Sequence, residues 1–250
     1  MAESNFYAQR IAGSGVFAGR TLIQANGEIG GKRYVFVKLV KGSKDGLVYP
    51  TTGGKLVNPF KGNAKIFAGD LIEYDAGLAG SAGPTVKILK SFEVNKDASA
   101  STAVTVMRDG FRHVPFVGDN IMLAPAKFDT KGLGVTVTAV EKTVEDGKDV
   151  YKLTVSAALT VKKGDVIVEA SAAGASVAAM VTNPNAYAPC DYDFVFNPAA
   201  SDNDFEGARY LVTPCLANAD TVLYTDRMSP LPTAVKALNR SRVAGWFWFE

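Results

Sequence analysis

His113 is the single histidine of the chain and lies in the stretch RDGFRHVPF. An imidazole is the commonest general acid or base and the usual partner of a nucleophile. Here it sits beside Arg108 and Arg112 and precedes Pro115, and it reads as a surface loop residue. Cys190 and Cys215 are the two cysteines. With one histidine they do not give the closely spaced ligand set of a zinc site. Nor are they a disulfide framework; they read as buried thiols kept reduced, with a bond between the two as the alternative. Gly13, Gly15 and Ala18 match the string G-x-G-x-x-A. That dinucleotide fingerprint needs a strand before it and a helix after it, and neither is signalled.

Two sets of carboxylates come next. Asp202, Asp204, Glu206 and Gly207 resemble the first half of an EF-hand loop, with oxygen ligands at alternate positions. Thr213 stands where a bidentate glutamate is needed, so the segment reads as a solvated acidic loop. Asp191 and Asp193 could supply the paired carboxylates of glycoside hydrolysis, yet nothing in their spacing separates them from loop acids. No catalytic residue, cofactor or metal is assigned. The residues singled out instead are aromatic. Trp246, Phe247, Trp248 and Phe249 put four rings in a row near the end of the sequence. In a strand, alternate rings face opposite sides. One side can enter a core; the other is an exposed apolar patch unless a partner covers it. The competing reading is a strand buried on both faces. With Phe6, Tyr7 and Arg10 of the N-terminal segment, these are the candidate partner-binding residues.

The elements that position these groups are mostly strands. Residues 33–40 (RYVFVKLV) are β-branched and aromatic, follow turn signals at Asn26-Gly27 and Gly30-Gly31, and predict a hairpin with residues 20–24. Residues 86–94 predict another strand. Residues 134–156 predict an antiparallel hairpin turning at Asp146-Gly147, because that dipeptide supplies two positive-φ positions between alternating runs. Three segments share one device: FAGDLIEYD, FVGDNIMLA and VKKGDVIVEA each place Gly-Asp before a strand. Glycine supplies the unusual backbone angle and aspartate accepts hydrogen bonds from the turn it closes. Each is therefore expected to be a tight corner launching a strand, with Gly69-Asp70, Gly118-Asp119 and Gly164-Asp165 structural in role. Residues 232–240 (PTAVKALNR) predict a short helix with proline in its first turn and basic residues near its end. The small, polar residues 95–102 and 170–179 read as linkers.

The predicted fold is mainly β: one or two small antiparallel β-barrel or sandwich modules with an extended N-terminal arm and a loop-rich C-terminal segment. The divisions expected are an arm at 1–31, β modules at 32–95 and 96–172, and a loop-rich segment at 173–250 ending in an aromatic strand. At 250 residues, 47% hydrophobic and 21% charged, the chain has enough apolar surface to fold. Its net charge is +2 with no basic run, so nucleic acid is not an expected partner. No apolar stretch approaches the roughly 20 residues of a membrane helix, and the first residues lack a signal-peptide core. Cytoplasmic synthesis without membrane attachment is the expectation.

The Gly-Asp-launched strands, the run ASAAGASVAA and the tail MSPLPTAVKALNRSRVAGWFWFE resemble the small β-rich structural proteins encoded near the capsid genes of tailed bacteriophages, especially crAss-like phages. The resemblance covers about the last two thirds of the chain. It implies a non-enzymatic auxiliary, decoration or head-fibre protein located in the virion. The implied partners are the major capsid protein or other virion proteins, and copies of the chain itself. A tail or baseplate component, a carbohydrate-binding β-module and a β-rich hydrolase are the alternatives. A binding module predicts a pocket with exposed aromatics, and a hydrolase predicts convergent carboxylates in a cleft.

Overall fold

A computed structural model of the chain describes residues 21–25, 35–39, 49–77, 83–189, 191–196, 211–217, 221–223, 228–241 and 248–249. Strands take 46% of it and helix 4%, which makes the protein mainly β, arranged in several sheets with no closed barrel among the described residues. The strands in chain order are β1 (Thr21–Ala25), β2 (Val35–Leu39), β3 (Tyr49–Pro50), β4 (Gly54–Leu56), β5 (Ala64–Ile66), β6 (Leu71–Asp75) and β7 (Thr85–Ile88). Then come β8 (Ser91–Glu93), β9 (Ala98–Met107), β10 (Asn120–Leu123), β11 (Val135–Glu145), β12 (Lys148–Val161) and β13 (Val166–Glu169). The remainder are β14 (Ala186–Tyr187), β15 (Tyr192–Phe194), β16 (Leu211–Val212), β17 (Cys215–Leu216), β18 (Thr221–Leu223), helix α1 (Thr233–Ser241) and β19 (Trp248–Phe249).

Two sheets carry most of the fold. A six-stranded sheet runs β8-β13-β10-β11-β12-β9 and a seven-stranded sheet runs β16-β4-β7-β6-β14-β17-β3. The period-2 alternation of strand side chains divides their residues between cores. Ile121 and Ile167 join Val104, Val135 and Leu153 in one cluster. Their neighbours Met122 and Val168 point the other way and meet Leu71, Leu89, Tyr187 and Cys215 in a second. Ile72, Ile88 and Ala186, which follow or precede those residues, pack with Phe60 and Phe194 in a third. The second cluster is thus shared by both sheets, and α1 adds Ala234 and Val235 to it. Each large side chain so buried contributes about 1.5–3 kcal/mol.

The hairpin at 134–156 forms as its turn dipeptide dictates. Glu145 pairs with Lys148, and the two residues between them, Asp146 and Gly147, have φ of 51° and 72°. Both values are positive, as a type I′ turn requires. The first hairpin also forms, with Thr21 opposite Leu39 and Ala25 opposite Val35. Helix α1 covers the predicted basic segment, and Val235 and Lys236 donate their N–H groups to the Pro232 carbonyl.

Three expectations are corrected. Residues 86–94 are not one strand: the chain pauses at Leu89-Lys90 and passes from β7 in one sheet to β8 in the other. Strands that switch sheets make such corners. Residues 95–102 are not a linker, since β9 begins at Ala98 and pairs with β12. Its small residues occupy an exposed edge with register shifts between Thr154, Leu159 and Val161, where no large side chain has to be packed. Residues 170–179 are a loop folded back onto Gly134: Gly134 donates to Ala175, and Gly174 donates to the Gly134 carbonyl. A Cβ at Gly134 would stand 2.4 Å from the Ala172 carbonyl oxygen, so glycine permits this approach.

The segment 173–250 supplies β14, β16 and β17 to the seven-stranded sheet. It also supplies β18 and β19 to a four-stranded sheet ordered β1-β2-β18-β19. In that sheet β18 runs antiparallel to β2 and parallel to β19.

Candidate functional site

The recurrent Gly-Asp pairs position the polar groups of the interior. Each builds the same turn. The Asp70, Asp119 and Asp165 N–H groups bond back to the carbonyls of Phe67, Phe116 and Lys162 at 2.9, 3.1 and 3.0 Å. Gly69, Gly118 and Gly164 hold φ of 88°, 89° and 85° at the third turn position, the type II requirement. Each aspartate Oδ2 then accepts the N–H of the first turn residue, at 2.7 Å from Phe67, 2.8 Å from Phe116 and 2.7 Å from Lys162. One motif thus makes two hydrogen bonds per turn. The strand starts directly after it at Leu71, Asn120 and Val166.

Around Asp70 the turn is buried. His113 is 1% exposed and is not the surface residue its polar neighbours suggested. Its Nδ1 faces the Ser91 N–H at 3.4 Å. That N–H can only donate, so Nδ1 is the acceptor and Nε2 carries the proton. Nε2–H donates to Asp70 Oδ2 at 2.8 Å. The ring lies against Phe67, nearly parallel at 25°, and tilts against Phe60. A Ser–His–Asp set is therefore present by composition. Its serine, however, contributes its backbone N–H, and all three residues are buried. The arrangement ties the start of β6 to β8 and is closed to substrate. Arg112, next in sequence, faces outward onto Asp109 and Glu93.

Around Asp119 the turn opens onto a crevice of about 380 Å³ lined by Asn58, Lys61, Lys87, Asp119, Asn120 and Glu169, among others. Burial pushes the Asp119 carboxyl above its usual range; the Phe116 N–H and Lys90 oppose the rise, and Glu169 adds to it. Glu169 is held on both oxygens, by Lys90 Nζ at 2.8 Å and by Asn58 Nδ2 at 2.8 Å. Lys61 Nζ donates to the Gly118 carbonyl. Two carboxylates therefore share the crevice, each already engaged by the protein's own donors. No group of three metal-ligating side chains occurs among the described residues.

The other candidates fall apart in space or lie elsewhere. Asp193 pairs with Lys65 at 3.2 Å on the surface. Asp191 Oδ1 accepts the Ala68 N–H at 3.0 Å, and burial raises its carboxyl above the ordinary range. Cys215 is in the core. Trp248 and Phe249 form β19, the edge strand of the four-stranded sheet. Phe6, Tyr7, Arg10, Trp246 and Phe247 lie outside the described residues, as do Cys190, the Gly13-Gly15-Ala18 string and the Asp202–Glu206 loop. Lys90, Glu169 and Asn58 were not singled out by their sequence context. The trace they leave is a lysine inside the apolar run KILKSF, since lysine is rarely buried unless paired.

Comparison with protein-family models, with curated proteins and with solved structures returned no match.

Proposed function

We propose that the chain is a structural, non-enzymatic component of a tailed-phage particle, an auxiliary or decoration protein bound to the capsid. One observation carries the reading. Strands from both ends of the sequence, β1 and β2 with β18 and β19, come together in one sheet that shares no strand with the two sheets of the body. Trp248 and Phe249 lie on its edge. A sheet edge offers unpaired backbone groups, and aromatic residues are favoured at interfaces. The end sheet is then the attachment surface, and the body stands on it. The hydrogen-bonding duties of Asp70, His113, Asp119 and Glu169 support a structural role for the residue types that would otherwise suggest catalysis.

The test is incorporation. Particles are purified from infections complemented with wild-type chain, a chain lacking residues 1–19, or the double variant Trp246→Ser/Trp248→Ser. Copy number per particle is measured by quantitative mass spectrometry. Both variants are expected at least about tenfold below wild type, the loss that 1.4 kcal/mol of contact energy produces. Wild-type occupancy for both, or a wild-type chain absent from particles, overturns the proposal.

A further inference from the structure

Asn58, Lys90 and Glu169 form a set with more chemistry than an ion pair needs. Lys90 Nζ donates to Glu169 Oε1 at 2.8 Å and to the Pro59 carbonyl at 2.9 Å. Asn58 Nδ2 donates to the other carboxylate oxygen, Oε2, at 2.8 Å. An amine and a carboxamide are therefore held on the two oxygens of one carboxylate. Asn58 is fixed further by Ile88. Its Oδ1 accepts the Ile88 N–H at 3.0 Å and its Nδ2 donates to the Ile88 carbonyl at 2.9 Å. The carboxamide thus extends the β4–β7 ladder one step past Val57, and the Ile88 N–H polarises its carbonyl as an oxyanion-hole donor would. Lys90 is 4% exposed, with its Nζ 4.9 Å from the centre of the Phe60 ring.

We infer that Lys90 and Asn58 become joined by an intramolecular isopeptide bond, with Glu169 as the proton carrier. A proton passes from Lys90 Nζ to Glu169 Oε1, leaving a neutral amine. That nitrogen attacks Asn58 Cγ, and the carbonyl electron pair moves onto Oδ1, facing the Ile88 N–H. Glu169 returns its proton to Nδ2 and takes the second proton from Nζ. The Cγ–Nδ2 bond breaks, the carbonyl reforms and ammonia leaves. One C–N bond forms and one breaks, with no oxidant, metal or nucleotide consumed. The proton left on Glu169 can depart with ammonia as ammonium. The crevice lined by Asn58 and Glu169 is the exit. Pro59 suppresses the competing reaction, because it has no N–H to attack Asn58 and form a succinimide.

The test is the intact mass of the purified full chain under denaturing conditions. The expected mass is that of the sequence less one ammonia. Trypsin should fail to cut after Lys90, and fragmentation should recover a branched peptide joining the Asn58 and Lys90 segments. Lys90→Gln and Asn58→Ala should each restore the full mass expected of the variant. Glu169→Gln, which removes the proton acceptor, should slow the ammonia loss by at least about a hundredfold. The branched peptide is read from wild-type protein alone, so misfolding of a variant does not blur the answer. A wild-type chain of full sequence mass that is cleaved after Lys90 overturns the inference. So does an ammonia loss that maps to another asparagine, such as Asn26 before Gly27.

Discussion

The turn at Asp70 and the turn at Asp165 have the same backbone, the same glycine angle and the same side-chain hydrogen bond, yet they sit in opposite surroundings. Asp70 is 1% exposed, accepts from both Phe67 N–H and His113, and keeps its Oδ1 without a hydrogen-bond partner in the interior. Asp165 closes its turn at the solvent-facing end of β12 and β13. Asp119 lies between them, buried but bordering the crevice. Residues three apart specify the corner. What the aspartate then does depends on distant residues: His113, which donates to Asp70, is 43 positions away, and Lys90 and Glu169, which act on Asp119, come from other parts of the fold. Local geometry is repeated, and the energetic weight of each copy is set by what the fold brings against it.

The largest effect tests the buried copy. Asp70→Ala leaves two donors, the part-buried Phe67 N–H and the buried His113 Nε2–H, without acceptors and should destabilise by about 3 kcal/mol. Urea unfolding measures this, and a loss no larger than that at Asp165 would show that the His113 contact adds nothing. Asp119→Ala removes one turn bond in a partly desolvated setting and should lose about 1.5 kcal/mol. Asp165→Ala should lose the least, about 0.5–1 kcal/mol, the worth of an ordinary solvated hydrogen bond.

Asp119 also predicts a pH signature. Its folded carboxyl binds a proton more tightly than the unfolded chain, whose aspartate titrates near 3.8. Between that value and the raised folded value the native state holds more protons, so this residue's contribution to stability is present below 3.8 and is lost as pH rises. Asp119→Asn keeps an acceptor for Phe116 N–H and cannot titrate. The stability of wild type minus that of Asp119→Asn, followed by denaturant unfolding at a series of pH values, should decline through that window and flatten above it. A difference that rises with pH would show the nearby Lys90 and Lys61 outweighing burial.

Much of the backbone was legible in the residues. Asp146-Gly147, the three Gly-Asp corners and the proline-led helix each depend on a few adjacent side chains, and each formed where those side chains required it. Sheet membership was not legible. The run from Val86 to Val94 looks continuous because its apolar pattern is continuous, while the change of sheet at Leu89-Lys90 is decided by partners in β6 and β13. His113 was misplaced for the same reason: arginines beside it signalled solvent, and the carboxylate that accepts its proton is 43 residues away. Lys90, Asn58 and Glu169 are separated by 79 and 111 residues along their hydrogen bonds, beyond any local pattern.

The end sheet has a mechanical consequence. Its strands come from the first 39 residues and from residues 221–249, and everything between them is a loop closed by that sheet. Tension applied to the two ends of the described chain is therefore borne first by the ladders of β1, β2, β18 and β19. The two larger sheets stay slack until those ladders part. A pull on the termini should register one early yield as the end ladders shear apart, with the body still folded and most of the chain's length still hidden in it at that moment.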